Sequence, residues 1–152
     1  MKHTLIASTV MAMALAAVPV MAATSNTLMI FSFHPGGTQF TGSFNASGVI
    51  HEAATADSTV KYDPKVSNIL TANKTIHLAG GDIYMTVQGP LNTDLWPAVS
   101  LTGTWQFTGG SGVYRGVTGR GTCAVVGDFG AGTFSGAYQG KVRLAGDNDN
   151  DD

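Results

Sequence analysis

From Phe134 to Leu144 the even positions read Phe, Gly, Tyr, Gly, Val, Leu, and the odd positions read Ser, Ala, Gln, Lys, Arg. A period of two sends one set to each face of an extended chain, so this segment is a half-buried antiparallel strand. Leu101, Gly103, Trp105 and Phe107 alternate with Thr102, Thr104, Gln106 and Thr108 in the same way, and Phe40, Gly42 and Phe44 with Gln39, Thr41, Ser43 and Asn45. No stretch after Ala22 keeps a helical period free of Gly, Pro and β-branched clusters. The single Glu of the chain agrees, because surface helices lean on Glu.

The alternation predicts about eight strands, near Thr27–His34, Thr38–Glu52, Thr55–Tyr62, Asn73–Leu78, Asp82–Gly89, Val99–Gly109, Val117–Gly127 and Thr133–Leu144. Turn chemistry separates them at Pro35-Gly36-Gly37, Gly80-Gly81-Asp82, Pro90 to Pro97, Gly109 to Gly112 and Gly127 to Gly132. Asp63–Ala72 is the least strand-like stretch and has room for one helical turn. Thirteen of the 20 glycines lie between Gly103 and Gly146, several inside strands. Glycine inside a strand weakens it unless the backbone bends sharply or another backbone comes close. The corners of a small closed barrel demand such bends, and closure removes aggregation-prone edges. A two-sheet sandwich is the alternative and needs fewer such glycines.

The N-terminus carries Lys2, an uncharged run from Leu5 to Met21, and small residues around a cut after Ala22. This is the layout of a secretory signal peptide. The run is short of the ~20 apolar residues of a membrane anchor, and no second apolar run follows. The expected organisation is a signal peptide over 1–22, a β-barrel domain over 23–145 and a disordered acidic tail over 146–152. The expected location is extracellular or periplasmic. Cys123 is the sole cysteine, so packing and not a disulfide holds the fold. Charged residues make up 12% of the chain and the net charge is −2, which excludes the Lys/Arg-rich face of a nucleic-acid binder.

The run Gly103-Thr-Trp105-Gln-Phe107-Thr-Gly109-Gly110-Ser-Gly112-Val-Tyr114-Arg115-Gly116-Val-Thr-Gly119-Arg-Gly121 resembles the glycine-rich hairpin of the allene oxide cyclase-like and dirigent barrels, with Ser111 in place of the usual Thr. Gly132-Thr-Phe134-Ser-Gly136-Ala-Tyr138-Gln-Gly140 is similar to the closing strand of that family. The resemblance covers about Ser100 to Leu144 and implies an all-β, eight-stranded antiparallel barrel of allene-oxide-cyclase-like topology. It also implies an interior cavity that positions an apolar molecule. No catalytic motif of the cyclases or of the dirigent proteins matches residue by residue, so no catalytic residue is carried over.

Familiar catalytic motifs fail. Gly109-Gly-Ser111-Gly-Val113 lacks the last glycine of a nucleophile elbow, and Gly136-Ala-Tyr-Gln-Gly140-Lys141 is one residue short of a phosphate loop. His34, His51 and His77 show no metal-ligand spacing, and the Asp147–Asp152 tail lacks the closing positions of a calcium loop. No metal and no cofactor is expected. Asn45-Ala-Ser47 and Asn73-Lys-Thr75 fit glycosylation sequons.

With so few charges, one aimed into an apolar barrel would stand out, because burial shifts its pKa toward acid–base use. Strand parity from Phe40, Gly42 and Phe44 carries to Glu52, the first candidate, with Arg115 as its charge partner. Tyr84 and His77 are the other polar candidates, although Ile83, Met85 and Val87 mark the opposite face of Tyr84's strand as apolar. Phe40, Phe44, Trp105, Phe107 and Tyr138 are the candidate ligand-binding residues. Three functions fit: a module binding a small apolar ligand in the barrel, a cyclase or isomerase using the same cavity, and a structural protein with a side-chain-filled barrel. A cavity of a few hundred Å³ would favour ligand binding, and inward Trp105, Phe107, Phe134 and Tyr138 would favour filling.

Overall fold

A computed structural model describes residues 24–36, 39–63 and 65–146. The expected signal peptide and most of the expected acidic tail lie outside the described residues. Eight strands run in chain order: β1 Thr24–Gly36, β2 Gln39–Ser47, β3 Ala53–Lys61, β4 Ile69–Leu78, β5 Gly81–Leu95, β6 Ala98–Gly110, β7 Thr118–Asp128 and β8 Thr133–Arg143. Each pairs antiparallel with the next, and β1 pairs with β8, so the sheet closes into an up-and-down barrel. The only helical piece among the described residues is one 3-10 turn, Gly112–Tyr114. None of their helices is long and apolar enough to cross a membrane.

The alternation read from the sequence sets which side chains point inward. Met29, Phe31 and Phe33 of β1, Ile76 of β4, Met85 and Val87 of β5, Trp105 of β6 and Tyr138 of β8 are all buried in one core. Phe31 is its hub, with ring centroids 5.0 Å from Phe44 and 4.8 Å from Tyr138. Truncating such a ring to Ala costs about 3–5 kcal/mol.

Inward glycines make room for these rings and for close backbones. A Cβ on Gly140 would stand 2.6 Å from Cζ2 of Trp105, and one on Gly89 would stand 2.8 Å from the Cα of Gly103. The small-against-large pairing is what a narrow barrel needs to fill its taper.

Three sequence expectations are corrected. β5 does not stop at Gly89 but continues through Pro90 to Leu95, with Leu91 buried. The β5–β6 ladder keeps one register from Gln88, paired with Thr104, to Leu91, paired with Leu101, and its shifts fall instead between Tyr84 and Met85 and between Asn92 and Leu95. β4 starts at Ile69, so part of the stretch read as a loop or helical turn is strand. β2 ends at Ser47 and Gly48 turns with φ 118°, so the parity from Phe40 does not carry to Glu52.

Candidate functional site

Successive hairpins of an up-and-down barrel alternate between its two ends. The β2–β3, β4–β5 and β6–β7 connections meet at one end and seal it. Val113 N–H donates to the Gly80 carbonyl at 3.0 Å, and Asp82 N–H donates to Oγ of Ser111 at 2.9 Å. Beneath them Ile50, Leu78, Tyr114 and Val117 are buried. Glu52 belongs to this seal. Its carboxylate accepts a hydrogen bond from the Tyr114 hydroxyl and a long one, 3.5 Å, from Ala79 N–H.

The other end is open. Phe33, Phe40, Val60, Leu70, Leu91 and Phe134 line an apolar pocket of about 60 Å³ there. Its rim is aromatic: Trp96 stacks on Phe129 at 5.1 Å, Phe129 meets Phe134 edge-on at 5.0 Å, and Phe134 meets Phe40 at 5.2 Å. Trp96 is 63% exposed and Leu95 79%.

At the floor of this pocket stands Lys74. It is 7% exposed, with no carboxylate within ion-pair distance among the described residues. Its cross-strand neighbour Ser58 lies directly opposite on β3, and Nζ donates to Oγ of Ser58 at 3.3 Å. The face of Phe33 lies 3.9 Å from Nζ, with Phe31 at 5.3 Å and Tyr138 at 5.9 Å. Burial pushes the ammonium pKa from 10.5 down to about 7. Cys123 is also buried. Its thiol is pushed up by the same desolvation, and its interaction with Lys74 counters that shift. Burial raises the Tyr138 phenol as well. The floor therefore offers an amine and hydroxyl donors inside apolar walls, with no acidic side chain.

The residues singled out in the sequence scatter. Phe40 and Tyr138 line the pocket. Phe44 and Trp105 are buried outside its lining, the Trp105 indole N–H donating to the Gln139 carbonyl at 3.1 Å, and Phe107 packs beside Trp105. Glu52 is at the opposite end. Arg115 is exposed and is not its partner, because Tyr114, one residue earlier, turns inward and takes the carboxylate. Tyr84 points outward at 40% exposure. His77 lies on the outer wall, where Nε2 meets Oδ2 of Asp57 at 2.9 Å and Nδ1 meets Oδ1 of Asp82 at 3.0 Å. Both carboxylates, Asp57 first, raise its pKa.

Lys74 was not among the sequence candidates, yet a signal for it exists. Leu70, Ala72, Lys74, Ile76 and Leu78 all sit at even positions, one inward face of β4. The cavity is smaller than the few hundred Å³ that would favour a binding barrel, because Trp105, Phe31, Phe44 and Tyr138 fill the rest of the interior, so most of the barrel fits the side-chain-filled expectation and only the open end leaves space for a ligand. Compared with known proteins, this chain matches no family model, no curated protein and no solved structure.

Proposed function

We propose that the protein is exported and binds a small, narrow, mostly apolar ligand through the aromatic mouth of its barrel. The observation that carries this reading is the asymmetry of the two ends. One is sealed by side chains and backbone hydrogen bonds, and the other leaves an apolar pocket behind exposed Trp96 and Leu95. A pocket of about 60 Å³ suits an unbranched chain entering end-on, whose outer part lies against the rim. It leaves no room to fold a long substrate, which favours binding over the cyclase reading. The resemblance of Ser100 to Leu144 to the allene oxide cyclase-like barrels is the sequence support for this use of the interior, and export rests on the N-terminal Lys2, uncharged run and Ala22.

The chain has 2 Trp, one at the mouth and one buried near the far wall. Trp96 emission therefore reports on the mouth. Titration with hexanol, octanol and decanol is expected to shift it to the blue in a saturable way. Ala72→Phe, which fills the pocket from β4, is expected to abolish the shift while the circular dichroism stays β-rich. No saturable response of the wild-type protein to any of the three alcohols overturns the reading.

A further inference from the structure

We infer that the pocket takes a small aliphatic aldehyde or ketone and holds it as a reversible imine on Nζ of Lys74. The inference rests on the pocket reading above and names the chemistry of the ligand's inner end.

Three features of the site point there. Lys74 is the charged-type side chain among the pocket lining, and it stands at the floor where an entering chain would put its leading group. It has no acidic partner among the described residues, so an ammonium there would lie buried against aromatic faces and one hydroxyl, with the Cys123 thiol as the other titratable group that interacts with it. Such uncompensated burial disfavours the charged form. The nearest ring, Phe33 at 3.9 Å, offsets part of that cost by cation–π attraction. The two effects oppose each other, so the amine and the ammonium both occur near neutrality, in line with a pKa of about 7. An ordinary lysine carries a neutral fraction about a thousandfold smaller there.

The covalent step needs nothing the site lacks. The lone pair of Nζ adds to the carbonyl carbon, and the carbonyl π pair moves to oxygen, which takes a proton from the nitrogen. The hydroxyl of this carbinolamine then leaves with a second proton as water, and the C=N bond forms. Ser58, hydrogen-bonded to Nζ at 3.3 Å, is placed to pass the proton between nitrogen and oxygen. The apolar walls keep bulk water away and hold the imine against hydrolysis. A carboxylic acid is the rival ligand, pairing with the ammonium as an ion pair. It would bring a second charge into the same dry space, and the neutral imine avoids that desolvation.

The test is trapping. The full chain is incubated at neutral pH with octanal and sodium cyanoborohydride, then analysed by intact mass and peptide mapping. An alkylamine adduct is expected at Lys74, mapped apart from any on the chain's α-amine, and formed more than about tenfold faster than on exposed Lys61, Lys65 or Lys141, the surplus of neutral amine outweighing the narrower access. Lys74→Met is expected to lose that adduct yet still bind octanol, and Ser58→Ala to slow it. If octanol or octanoic acid binds while Lys74 stays unmodified, the imine falls and the pocket stands. If octanol also fails to bind, both fall. Wild-type mapping alone decides the matter should a variant not fold.

Discussion

The Tyr114 hydroxyl donates to Oε1 of Glu52 across 62 residues of sequence, joining the β2–β3 and β6–β7 connections at the sealed end of the barrel. The phenol is pushed up to about 12, first by burial and then by this carboxylate. A hydrogen bond to a charged acceptor contributes about 1.5–3 kcal/mol.

Tyr114→Phe is therefore expected to lower unfolding free energy by about 1.5–3 kcal/mol, and Glu52→Gln by about 1 kcal/mol because the amide oxygen still accepts. Urea denaturation of both variants and of the double variant gives their coupling. The pair lies at the end opposite the pocket, so octanol binding is expected to be unchanged. A Glu52→Gln protein of normal stability that loses octanol binding would return Glu52 to the ligand site.

The strand alternation was legible because a closed barrel leaves each strand one inward face, and a period of two shows it directly. Lys74 is hidden in the sequence for a local reason. The alternation shows the fourth strand only from Asn73, after the turn-like residues of Asp63–Ala72, although the strand and its inward face begin earlier, with Leu70 and Ala72. The sequence attaches the search for a titratable group facing the apolar interior to Glu52. The step from Phe44 to Glu52 crosses the Gly48 turn, where strand parity no longer applies. The aromatic mouth was illegible for a different reason. Phe40, Trp96, Phe129 and Phe134 come from three separate hairpins, and only closure brings their rings together.

His77 gives a pH signature on the outer wall. Its two carboxylate hydrogen bonds favour the imidazolium, so the folded pKa lies above the ordinary 6.5. A raised folded pKa means stability that is complete below the unfolded value and is lost as pH rises through the folded one. NMR titration of the His77 ring is expected to show the raised value. Asp57→Asn is expected to lower it more than Asp82→Asn, since the Asp57 hydrogen bond is the larger cause. An equal response, or the reverse order, contradicts this geometry.

Glycine substitutions separate close backbone contact from mere turn chemistry. A Cβ on Gly121 would collide with the Gln139 carbonyl and stand 2.6 Å from the Cα of Gly140, backbone that cannot move without parting β7 from β8. Gly121→Ala is expected to cost at least about 1–3 kcal/mol, the usual range for overpacking. At Gly130 the nearest atoms are side chains, Asp128 Oδ1 at 3.1 Å and Pro97 Cγ at 3.3 Å, so Gly130→Ala is expected to stay within about 0.5 kcal/mol of wild type. Thermal melts of the two variants measure both.

Lys74 should leave its mark on stability before any ligand is found. Its folded pKa, about 7, lies below the unfolded 10.5, so between those values the unfolded chain binds more protons than the folded one. Stability attributable to this residue therefore rises with pH across that window, and below about pH 7 the full penalty of burying the ammonium remains. Lys74→Met keeps the length of the side chain and removes the charge. It is expected to be more stable than wild type by roughly 2–4 kcal/mol near pH 6, with the gap closing toward pH 10. The comparison is made between the two proteins at each pH, because His77 and Tyr114 titrate in both and cancel, and on a Cys123→Ala background, because the Cys123 thiol interacts with Lys74 and would not cancel. Urea midpoints at pH 6, 8 and 10 give the gap directly. A gap that is constant across the series would mean that the Lys74 amine reaches water in the folded barrel, and the dry pocket floor would have to be abandoned.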